Sequence, residues 1–72
     1  MRNEFSAIVE AAAEGGYWAT CPEVPGANGQ GETVADVLTD LAAAIELMLD
    51  YRRERALKAA SSDARHMTLV VG

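Results

Sequence analysis

One amphipathic stripe governs what this chain can fold into. Val34, Val37, Leu38, Leu41, Ile45, Met48 and Leu49 recur at helical spacing, with Asp36, Asp40 and Asp50 on the opposite side. Thr33 is a suitable N-cap, and Asp36 three residues later resembles the acid of a capping box. At 100° per residue Arg52 falls in the middle of the stripe, so core contact is expected to end near Leu49. Glu54 and Lys58 form a favourable i,i+4 pair that carries the helix on toward Ala60, and Ser61-Ser62-Asp63 breaks it.

The residues on either side read as strands. In 4–11, Phe5, Ala7, Val9 and Ala11 fall on one face, and Ser6, Ile8 and Glu10 on the other. Glu14-Gly15-Gly16 signals a tight hairpin, and Tyr17 to Cys21 make the returning strand. Pro22 has no N–H to donate, so pairing ends there and Pro22–Gly26 forms a stiff, irregular connection. Residues 27–31 have poor strand propensity and are expected to return as an edge strand. After the helix, Met67-Thr68-Leu69-Val70-Val71 reads as a short final strand. The expected fold is α+β, in the order β-β-β-α-β: a three-stranded antiparallel sheet, one long helix and a C-terminal strand. A right-handed crossover would place that last strand beside the first, giving the sheet order 3-2-1-4. The helix covers one sheet face; the other, which includes Trp18, is an interface by default.

Size limits how this can be stabilised. With 72 residues the chain is one domain, 1–72. Of its 36 apolar residues 14 are Ala, so 22 larger side chains fill the core. Cys21 is the only cysteine, which excludes an internal disulfide, and no Cys/His cluster offers a zinc site. Self-association, as a dimer or higher homo-oligomer, is the remaining expected source of stability. The longest apolar runs are far short of the ~20 residues that span a bilayer. With no export signal and a free thiol, a cytoplasmic location is expected.

The net charge of −5 is unevenly spread. Residues 1–51 carry a net −8, and residues 52–72 a net +3. The only basic cluster, Arg52, Arg53, Arg55 and Lys58, complements the dipole at a helix C-terminus. An acidic body suits a basic protein partner better than nucleic acid.

The run Gly15-Gly16-Tyr17-Trp18-Ala19-Thr20-Cys21-Pro22-Glu23-Val24-Pro25-Gly26 resembles the signature of HicB-like antitoxins, as does Gly31-Glu32-Thr33 followed by a helix with Ala44-Ile45-Glu46-Leu47. The likeness covers roughly residues 5–50. It implies a partial ribonuclease-H-like fold without the nuclease chemistry, in an antitoxin of a type II toxin–antitoxin pair. Such a protein binds and inhibits a HicA-type mRNA-cleaving endoribonuclease toxin. Ala27 and Gly29 depart from the pattern, where relatives often have Cys and Ser or Thr. Longer relatives add a C-terminal DNA-binding module. Only 22 residues follow Asp50, so no separate module and no DNA binding by this chain alone are expected. The alternative is an orphan homo-oligomeric regulatory or scaffold domain without a toxin partner.

Enzymatic readings are weak, and no activity, cofactor or metal is expected. Glu10 with Glu46 or Asp50 is the only carboxylate constellation for two-metal chemistry, and solvated surface charges explain it better. Asp36 and Asp40 are a like-charge pair without a third ligand. Cys21 and His66 lack an orienting acid, and Cys21 reads as a small hydrophobe. The glycines do not follow phosphate-loop spacing. Tyr17, Trp18, Glu23, Leu47 and Tyr51 are the expected partner or oligomer contacts, because aromatics and an off-stripe Leu–Tyr pair are the available apolar anchors.

Overall fold

Gly15 and Gly16 both take positive φ, 104° and 75°, and so close the hairpin between β1 (Ile8–Ala11) and β2 (Tyr17–Thr20). Within that turn the Ala12 amide donates to the Gly16 carbonyl at 3.0 Å. The structure, a computed structural model, describes residues 4–71. β1 and β2 pair antiparallel, with Ile8 opposite Thr20 and Ala11 opposite Tyr17. β3 (Asn28–Gly31) pairs antiparallel with β2 on its other side, giving the sheet order β1-β2-β3.

The proline-containing connection is more ordered than an irregular loop. Val24 donates its amide to the Cys21 carbonyl, and Ala27 donates to Val24, so two turns follow one another. They drive Val24 and Ala27 into the core, 1% and 2% exposed, beside Cys21. Arg52 donates to the Pro25 carbonyl at 2.7 Å and ties this loop to the helix.

Helix α1 (Val34–Ala59) is capped as its sequence implies: the Thr33 hydroxyl accepts from the Asp36 amide at 3.1 Å. Val37, Leu41 and Ile45 are its buried residues, and Ala44, Met48 and Leu49 pack against that core partly covered. Val34 and Leu38, expected in the stripe, remain exposed because α1 sits over β3 and β2 and barely reaches β1.

Two glycines set that placement. A Cβ on Gly29 would meet the Leu41 amide nitrogen at 2.7 Å and the Val37 carbonyl oxygen at 2.8 Å. One on Gly31 would meet the Asp36 Cβ at 2.6 Å and the Val37 nitrogen at 2.8 Å. The poor strand propensity of 28–31 is therefore the condition for helix and strand backbones to touch.

The described residues form three strands, and the expected fourth is absent. Residues 67–71 carry no strand, and Met67, Leu69, Val70 and Val71 are 64–80% exposed. Strand propensity is realised only against a neighbour. After Arg52, α1 continues through Ala59, about 10 Å further at 1.5 Å per residue. A turn in which Ala64 donates to the Ser61 carbonyl follows, and the segment is left without a partner strand in its own chain. The expected order 3-2-1-4 is corrected to three strands, with the outer edge of β1 open.

Candidate functional site

The sheet face turned away from α1 is built by strict alternation. Val9 and Ala19 stand opposite each other and point into the core, so their neighbours point outward. Trp18 is centred on that outer face, opposite Glu10 on β1 and Gln30 on β3. Trp18 is 42% exposed, and Ile8, 49% exposed, shares the face. At the hairpin end, Glu14, Trp18, Gln30 and Glu32 line a shallow hollow of about 570 Å³. A second hollow, between Trp18, Asn28, Gln30 and Asp40, lies toward the edge of β3. Both are open and largely polar. They match a protein side chain better than an enclosed small molecule. An aromatic side chain with Glu10 opposite it and Glu14 and Glu32 lining the adjoining hollow can hold a cationic side chain by charge and by cation–π contact.

Asp40 has a structural task here. Its carboxylate accepts the outward Gln30 amide at 2.9 Å, which blunts the outer edge of β3.

Glu23 is engaged within the chain. Its carboxylate accepts from the Ser6 amide at 2.7 Å, the Ser6 hydroxyl at 2.6 Å and the Cys21 thiol at 3.3 Å. The Ser6 hydroxyl and amide hold its pKa down to about 2, from an ordinary 4.5. This clamp joins the segment before β1 to the loop after β2.

The five expected contact residues do not converge. Trp18 lies on the open face; Tyr17, one residue away, points to the helix side and packs against the core. Glu23 sits in its clamp. Leu47, 72% exposed, and Tyr51 lie on the outer flank of α1, where Arg55 donates to the Tyr51 hydroxyl at 3.2 Å. The residues that accompany Trp18 are its cross-strand neighbours Glu10 and Gln30, with Glu14 and Glu32 lining one adjoining hollow and Asn28 and Asp40 the other. Period-2 alternation locates Glu10, but Gln30 and Glu32 required the register of a strand with almost no propensity.

The carboxylate constellation is not assembled. Glu10 points to the open face, whereas Glu46 and Asp50 belong to the helix on the other side of the sheet. Among the described residues no group of three or more His, Cys, Asp or Glu is placed to hold a metal ion. The buried Cys21 thiol donates to Glu23, and His66 lies in the exposed tail. Among the described residues no helix is long and apolar enough to cross a membrane.

Comparison with known proteins gives the chain a family. A UPF0150 protein of Synechocystis sp. is 45% identical over 71 residues, covering 99% of both chains. The chain belongs to the UPF0150 family. A second UPF0150 protein of the same organism is 33% identical over 46 residues, covering 64% of this chain and 58% of the relative. No family model matches the chain, and no solved structure matches it. The UPF0150 name states no activity, so function rests on the site.

Proposed function

We propose that this UPF0150 chain is a HicB-like antitoxin, which binds a basic HicA-type endoribonuclease toxin and silences it by occlusion. In this reading its fold is the partial ribonuclease-H-like one, its setting is the cytoplasm, and it has no catalytic activity of its own. It binds no operator without a partner.

The observation that supports the reading most is the exposed Trp18 at the centre of a sheet face carrying Glu10, with Glu14 and Glu32 at its hairpin end. A toxin that grips RNA phosphates carries a basic surface. Acids steer such a partner, while a desolvated aromatic anchor holds it. The Gly15–Gly26 segment, which carries the resemblance, also carries Trp18.

Co-expression with a HicA-type toxin followed by co-purification and a growth assay tests this. Rescue of growth and a stable complex are the expected result; unrelieved toxicity with no complex contradicts it. The orphan homo-oligomeric reading is favoured by a different observation, the open edge of β1 with the exposed apolar tail.

A further inference from the structure

We infer that residues 67–71 add as a strand to the open edge of β1 in a second copy of this chain, giving a dimer by reciprocal exchange. The inference is independent of any toxin.

The receiving edge is defined by the ladder. Ala12 bonds to Gly16, so by antiparallel alternation the amides of Glu10 and Ile8 also face β2. The N–H and C=O groups of Val9 and Ala11 then face away from the sheet, and no strand lies on that side among the described residues. The other edge of the sheet is guarded by Asp40; this one has no such guard.

Beside this edge the core is unfinished. Val9 is half-buried, and Ala11, Val34 and Leu38 remain exposed. Asp36 and Asp40 approach β3 from one flank of α1, and at 100° per residue Val34 and Leu38 fall on the other flank, toward β1. A strand added to β1 would cover this gap with alternate side chains. Met67, Leu69 and Val71 share one face and suit it; Thr68 and Val70 would continue the open face beside Ile8.

Charge favours a second copy as the source of that strand. The body, residues 1–51, is net −8, while the helix end and tail, residues 52–72, are net +3. This basic end projects from a molecule 52 Å long and 25 Å wide. Arg53 bonds only its helix neighbour Asp50, and Lys58 and Arg65 meet no acid among the described residues. Reciprocal exchange lays each basic end along the other copy's acidic body, a self-complementary two-fold contact.

Light scattering at micromolar concentration should give twice 7.6 kDa for the native chain. Ala11→Pro removes an amide that faces away from β2, and should yield a monomer that keeps the helical circular-dichroism signal of α1. Leu69→Lys alters a side chain that is 80% exposed, so it should also yield a folded monomer. Ala11→Cys with Leu69→Cys, in a Cys21→Ala background, should be joined by a short bis-maleimide into a product of twice the chain mass. A native chain that is monomeric, a dimer that survives both Ala11→Pro and Leu69→Lys, or a cross-link closed within one chain would overturn the inference.

Discussion

Gly29 and Leu41 bring strand and helix into backbone contact: a Cβ on the glycine would stand 2.7 Å from the leucine amide nitrogen. Backbone atoms on both sides leave no flexible side chain to move aside. Gly29→Ala should therefore push α1 off β3 and destabilise the fold by about 2 kcal/mol, within the range of overpacked cores. In a domain of this size that is a fall in Tm of roughly 8–16 °C. A thermal melt of the variant checks it; an unchanged Tm would show that the helix can shift freely.

How much of this was legible beforehand depends on the residue. The stripe from Val37 to Leu49 and the Thr33 cap are local patterns, and the helix forms where they place it. The Gly15-Gly16 turn likewise fixes the first hairpin. β3 was harder because Asn28-Gly29-Gln30-Gly31 is chosen for closeness to the helix, which no single-strand propensity records. Alternation along β2 already sends Trp18 to the uncovered face, whereas Tyr17, expected beside it as a contact, packs against the core on the other. The tail 67–71 has strand chemistry, but whether it pairs is decided by an edge elsewhere. Val24 was hidden between two prolines whose turns carry it into the core.

Glu23 makes stability depend on pH in a definite direction. Its carboxyl titrates at about 2 in the folded chain against an ordinary 4.5, so the folded state favours the charged form. The contribution is fully present above about 4.5 and is lost as pH falls toward 2. Tm measured from pH 6 down to pH 2 should fall more steeply for the native chain than for Glu23→Gln. Parallel curves would mean that the Ser6 clamp does not form in solution.

Arg52 replaces an apolar residue in the helix stripe and instead holds the Pro25 carbonyl at 2.7 Å. Arg52→Met keeps the stem and removes the bond. The expected loss is about 1 kcal/mol, below the usual range for a charged donor because the site is exposed. Denaturant unfolding measures it, and no loss beyond that of an Arg55→Met control would remove this role.

The acids on the open face act at long range. Exchanging Glu10, Glu14 and Glu32 for Gln should slow association with a HicA-type toxin and flatten the salt dependence of the on-rate. Stopped-flow mixing over a range of ionic strength reads this directly. An on-rate indifferent to all three would place the toxin on another surface.

If Trp18 on the open sheet face anchors a basic toxin, the affinity of Trp18→Ala for a HicA-type toxin, with Tm measured on the same sample, reads that anchor out. Because the ring lies outside the core, Tm should change little. Loss of a buried aromatic anchor should weaken binding by about 2 kcal/mol, about 30-fold. Toxin binding at native affinity by the folded Trp18→Ala protein would rule Trp18 out as the anchor.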